Sequence, residues 1–230
     1  VYLEKVDADK RTFLDALPFI PKKRRYNAYE PHCSGLYIGY SRLANDFLSF
    51  GASDKMGLDL SKSWEFGFNI LSVYHNFKKN PHWGINLGVS WGYRSFNIDG
   101  NYALLKENGT SIFTAGNEDT SYNKSRLRHF FCRIPVLMEW QQRVGRNKVF
   151  FNAGPEFEIR HSVKSFSHIN GGKKKTVGKG MYVQPVGINL LAQAGYGNIG
   201  IYLRYSTYGL FQKDKGPEVS PYSFGVAWYL

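Results

Sequence analysis

Only two of the 230 residues are cysteines, Cys33 and Cys132, too few to build a disulfide scaffold. Both are read as unpaired, near opposite ends of the strand pattern described below. No stretch approaches the roughly 18 apolar residues of a transmembrane helix, which excludes helical spanning and leaves alternating strands open. Acidic residues are scarce, 18 against 30 lysines and arginines, giving a formal net charge of +12. A basic balance of that size suggests nucleic acid, but no recognition helix or RNA-binding signature accompanies it, so no nucleic-acid partner is expected. Charges scattered through residues 1–10 do not suit a secretory signal, so a mature or trimmed form is expected.

What the chain does have is aromatic side chains, 17 % of the total, set in period-two patterns that suit half-wet strands. Residues 222–230 read YSFGVAWYL. Tyr222, Phe224, Val226, Trp228 and Leu230 alternate with Ser223, Gly225, Ala227 and Tyr229, giving one apolar face and one small or polar face.

The same alternation recurs upstream. Strands are predicted over residues 35–43, 64–76, 82–97, 127–141, 148–161, 182–196 and 198–208, and the terminal strand makes eight. The third is the most regular: Trp83, Ile85, Leu87, Val89, Trp91 and Tyr93 oppose Gly84, Asn86, Gly88, Ser90, Gly92 and Arg94. In the second, Trp64, Phe66, Phe68 and Ile70 oppose Glu65, Gly67, Asn69 and Leu71. Pro135, Pro155 and Pro185 predict bulges or gaps in the ladder. Residues 1–32 do not alternate and carry Pro18, Pro21 and Pro31. They are read as a segment outside the strand region, with one short helix over 9–17.

Connections alternate in length. Residues 44–63, 98–126, 162–181 and 209–221 are long; residues 77–81, 142–147 and 197 are short. Short turns at one end and long loops at the other belong to membrane barrels with an even strand number, which leaves both termini on the short-turn side.

A lipocalin-like barrel would turn the apolar face inward, but an eight-strand interior has room for glycine and serine rather than rows of tryptophan and phenylalanine. The apolar face is therefore expected outside. Trp83, Trp140 and Trp228 then lie on the short-turn side, and Trp91 is mid-strand. The inner face carries Glu65, Arg94, Arg133, Glu139, Glu156, Glu158, Arg160 and Arg204. Four acids and four arginines predict a mutually neutralised lattice that plugs the lumen, because an unpaired charge in so narrow a space costs several kcal/mol, on the order of 3–5.

Other chemistry is thin. His129, His161, Ser162, Ser165, Ser167 and His168 show no catalytic spacing with an orienting acid, so no enzyme is expected. The histidines and cysteines offer no metal-ligand spacing, and Gly171 and Gly172 do not follow a phosphate-loop pattern, so neither metal nor cofactor is expected. Lys173, Lys174, Lys175 and Lys179 read as a flexible basic loop tip suited to anionic headgroups or lipopolysaccharide phosphates. Lys22, Lys23, Arg24 and Arg25 form a second basic cluster.

Residues 35–230 resemble the small outer-membrane β-barrel proteins of the Bacteroidetes, including the PorT-like family, and more distantly OmpA- and OmpX-type barrels. The stretches that carry the resemblance are LRHFFCRIPVLMEWQ (127–141), INLLAQAGYGNIGIYLRYS (188–206) and KGPEVSPYSFGVAWYL (215–230). It implies an all-β, eight-stranded up-and-down barrel in the bacterial outer membrane, and it brings no catalytic residues; residues 1–34 lie outside the match and are expected, from the even strand number, to be a periplasmic extension. A structural or interaction role is expected, in which the long loops or residues 1–34 meet another outer-membrane or periplasmic protein; the alternatives are a narrow channel, then a lipid-modifying outer-membrane enzyme, and last a soluble lipocalin-like binder.

Overall fold

The computed structural model describes residues 32, 34–45, 62–77, 79–98 and 100–229. The helix expected over 9–17, the basic cluster at 22–25, and Cys33 lie outside the described residues. Within them are β1 (Ser34–Ala44), β2 (Trp64–Asn76), β3 (Trp83–Ile98), β4 (Tyr102–Glu107), β5 (Thr110–Ala115), β6 (Tyr122–Val144), β7 (Asn147–Ile169), β8 (Lys174–Lys179), β9 (Val186–Tyr196), β10 (Ile199–Ser206) and β11 (Ser220–Tyr229). There is no helix among them.

Nine strands form one antiparallel sheet in the order β6-β3-β2-β1-β11-β10-β9-β7-β8, and β6 also pairs β7. The sheet therefore curls back on itself. β4 and β5 make a separate hairpin, and β8 extends β7 beyond its pairing with β9.

Alternation sets the two faces. Glu65, Asn86, Arg94, Arg133, Asn152 and Ser223 are buried, whereas Trp83 is 37 %, Phe157 44 % and Ile201 64 % exposed. The polar face thus looks inward, and a row of large apolar side chains lies on the outside. Inner glycines leave room for rings: a Cβ on Gly67 would collide with the Tyr37 ring, and one on Gly187 with the Tyr208 ring.

Several expectations change. β6 and β7 are each 23 residues long, well beyond the predicted 127–141 and 148–161, because bulges between Asn123 and Arg126 and between Arg128 and Phe130 carry the ladder through breaks in the alternation. A bulge between Asn69 and Leu71 inserts one residue, so Leu71 pairs with outward Val89 and leaves the expected inner face. Pro135 and Pro155 cause no register shift. The ladder merely pauses there, between Leu87↔Val136 and Ser90↔Arg133 on one side of β6 and between Pro135↔Glu156 and Met138↔Ala153 on the other.

The long connection after β3 holds the β4–β5 hairpin, and Lys174, Lys175 and Lys179 belong to strand β8 rather than to a loop tip. These extra elements pack together. Leu43, Phe96, Ile98, Leu104, Leu127, Met181, Val183, Leu210, Phe211 and Val219 form a second apolar core at the long-loop end. At the other end the turns are tight, with Gly145 at φ 63° and Gly197 at φ 61° supplying the left-handed conformation such turns need.

Candidate functional site

The inward positions of four other strands, β3, β6, β10 and β11, converge on Glu65 of β2. Its Oε2 accepts from Arg94 Nε and Nη2 at 3.0 and 2.6 Å and from Arg133 Nη2 at 2.9 Å. Its Oε1 accepts from Arg204 Nη1, from the Tyr202 hydroxyl at 3.1 Å and from Ser223 Oγ at 2.8 Å. One carboxylate thus holds three guanidiniums.

Two glutamates of β7 complete the set. Glu158 accepts from Arg133 Nε and Arg160 Nε, each at 2.6 Å, and Glu156 accepts from Arg204 Nε at 2.6 Å and Nη2 at 3.1 Å. Asn189 Nδ2 donates to Glu156 at 3.0 Å and to Glu158 at 3.2 Å. Arg133 also donates to the Tyr37 hydroxyl at 3.0 Å, and its Cζ lies 3.5 Å from the centroid of the Phe131 ring. Charge-assisted bonds of this density, each with further donors, are what a buried ion cluster needs to offset desolvation.

Glu65, Arg94, Arg133, Glu156, Glu158, Arg160 and Arg204 are therefore one connected network. Glu139 lies apart from it. Its carboxylate meets His32, with Nδ1 at 2.7 Å and the backbone N–H donating at 3.2 Å, and accepts from Asn86 Nδ2 at 3.2 Å. Within the connected set, three carboxylates thus face four guanidiniums, in place of the expected balance of four and four.

His32, expected in the segment outside the strand region, belongs to this interior. It is buried, stacks on Phe150 at 4.0 Å between centroids, and its carbonyl accepts from Asn152 Nδ2 at 3.0 Å. No period-two signal could have found it, because it precedes the first strand. His129 is wholly buried with neither ring nitrogen hydrogen-bonded, packed against Phe96 and Phe131.

The serines and histidines at the outer end of β7 face different ways. Ser165 and Ser167 are buried, with Ser167 Oγ accepting from Ser125 Oγ at 2.9 Å. His161 stacks on Phe130, and His168 Nδ1 lies 2.9 Å from the Gly172 carbonyl oxygen. Among the described residues, no group of three His, Cys, Asp or Glu side chains is placed to hold a metal. Cys132 is free.

The outer surface carries the other expected group. β8 puts Lys174 and Lys179 on one side and Lys175 on the other, since Lys174 pairs with His168, Lys179 with Lys164, and Lys175 with buried Ser167. Lys173 precedes the strand. Partial burial lowers the Lys174 ammonium from its ordinary value, and the Arg128 and Arg126 guanidiniums alongside add to the effect. A cavity of about 420 Å³ opens nearby, lined by Lys62, Asn97, Asn123, Lys124 and Arg126. A comparison of the chain with protein-family models and with curated protein sequences found no match.

Proposed function

We propose that this chain is an eight-stranded β-barrel of the bacterial outer membrane, with its lumen sealed by the Glu65 network and its long-loop end serving a structural or protein-interaction role. The observation that carries the reading is the inversion of the faces: charge inside, large apolar side chains outside. β1, β2, β3, β6, β7, β9, β10 and β11 each pair on both sides, which is the circuit an eight-stranded barrel requires.

The dimensions support it. Trp83, Trp140 and Phe151 form one cross-strand row, and Tyr93, Phe130 and His161 form another, ten residues further along each strand. At about 3.3 Å per residue and a tilt of about 40°, the rows stand roughly 25 Å apart along the barrel axis, the height of an outer-membrane apolar band. Between them lie Ile85, Leu87, Ile134, Met138 and Phe157, none of which is buried. Aromatic rows bounding an apolar belt fit interfacial girdles.

Quenching of tryptophan fluorescence by phosphatidylcholine brominated on its acyl chains tests the reading on the reconstituted full chain. Outward Trp83, Trp91, Trp140 and Trp228 should give strong quenching, and planar bilayers should show no stable open state. A water-soluble chain whose tryptophans the brominated lipid leaves unquenched overturns the proposal.

A further inference from the structure

Immediately beyond the Tyr93–Phe130–His161 row, the outer surface changes character. The next cross-strand row is Ser95, Arg128, Lys164 and Lys179, on β3, β6, β7 and β8. Three cations thus stand directly opposite one another on neighbouring strands. One row further out, Arg126 pairs with Phe166, and Phe166 with Thr176.

Arg128 and Lys174 both sit on the Phe166 ring, at 3.7 and 4.3 Å from its centroid. Arg126, Lys164, Lys174 and Lys179 are exposed. None of the five cations is in an ion pair among the described residues. Like charges placed opposite each other across a sheet are destabilising. A row of them held on three paired strands is favourable when anions occupy the space in front of it.

We propose that Arg126, Arg128, Lys164, Lys174 and Lys179 form a binding site for the phosphate groups of outer-leaflet lipid headgroups. The inference rests on the membrane reading above, because the position of the site follows from it. Arg128 lies two residues beyond Phe130, at the level where acyl chains give way to phosphate. Arginine supplies the forked donors that match phosphate oxygens, and lysine supplies compact charge. The cavity beside Arg126, with Lys62 and Lys124, continues the basic surface toward the long-loop end. Lys173 and Lys175, parts of the same lysine run in sequence, are left out: one precedes β8, and the other lies on its opposite face.

The experiment uses the full chain in phosphatidylcholine vesicles, with brominated phosphatidic acid as the phosphate-monoester probe and brominated phosphatidylcholine as the reference. The native protein should concentrate the phosphatidic acid and quench more strongly with it. The triple variant R128Q/K164Q/K179Q should lose roughly fivefold of that preference per charge removed, while quenching by brominated phosphatidylcholine stays unchanged and reports that the barrel is still inserted. The K173Q/K175Q variant should keep the preference.

Equal quenching by the two lipids in the native protein, or a triple variant that retains the preference, overturns the site while leaving the barrel standing. Abolition of the preference by inorganic phosphate would make the ligand a free anion and overturn the lipid assignment. Failure of brominated phosphatidylcholine to quench at all overturns the membrane reading, and this inference with it.

Discussion

Glu65 and Arg204 are joined through the interior, although β2 and β10 are separated by β1 and β11 in the sheet order. The contact closes a path from Glu65 through Arg204 to Glu156, and through Arg133 to Glu158. The two sides of the curled sheet are thereby fastened to each other at one carboxylate.

Replacing that carboxylate should be costly. Glu65→Gln leaves Arg94, Arg133 and Arg204 without their common acceptor charge, and removing one partner of a buried pair costs about 3–5 kcal/mol. Ser223→Ala removes one neutral donor to the same group and should cost about 1 kcal/mol. Urea unfolding in detergent micelles measures both, and similar midpoints for the two variants would contradict the central role of Glu65.

The surplus guanidinium gives a second expectation. Arg160 contacts one carboxylate, whereas Arg133 bridges Glu65 and Glu158. Arg160→Met should therefore destabilise by less than half as much as Arg133→Met, because it removes the excess charge along with one partner of Glu158. Arg160 also donates to the Gln184 carbonyl at 3.2 Å and lies over the Tyr208 ring, and equal losses in the same unfolding assay would show that these contacts outweigh the relief of surplus charge.

His32 and Glu139 should behave as a coupled pair. His32→Ala takes the imidazole from a buried carboxylate and leaves it the backbone N–H of residue 32 and Asn86 Nδ2, and Glu139→Gln leaves the imidazole its stacking on Phe150. A double-mutant cycle should give a coupling of about 1–3 kcal/mol. Additive losses would mean that stacking alone holds His32.

The exposed apolar belt makes a prediction that depends on solvent. Ile201→Arg places a charge on the outer face of β10, within the apolar belt of the proposed barrel. In vesicles it should cost about 2–4 kcal/mol. A surface position in water would tolerate it within about 0.5 kcal/mol, so refolding equilibria in lipid, with Lys175→Ala as a neutral comparison, separate the two.

Much of this architecture could be read from the chain, because period-two alternation survives wherever one face is apolar. The expected starts at residues 64, 82 and 198 fall within one residue of those of β2, β3 and β10. Strand ends are not legible where the pattern breaks. Ser162 at φ 54° and Lys124 at φ 50° sit where β6 and β7 shift register, and a shift in register erases the alternation that marks a strand. The β4–β5 hairpin was available in the sequence: Asn108 and Gly109, at φ 46° and 76°, make the Asn-Gly turn that most strongly signals a hairpin.

The inner face of each charged residue was also legible, but its partner was not. Which guanidinium meets which carboxylate depends on how far the sheet has curled and how its strands are staggered, and neither leaves a trace in local sequence. The departure of Glu139 from the network required His32, a residue with no periodic context.

The close fit of Tyr37 over Gly67, and of Tyr208 over Gly187, ties the evolution of distant positions together. Each ring occupies volume that its glycine gives up, so the two members of a pair share one allotment of space. In descendants of this chain, alanine or a larger residue at 67 or 187 should arrive together with a smaller side chain at 37 or 208, and such paired substitutions would be a record of the interior's geometry written in sequence.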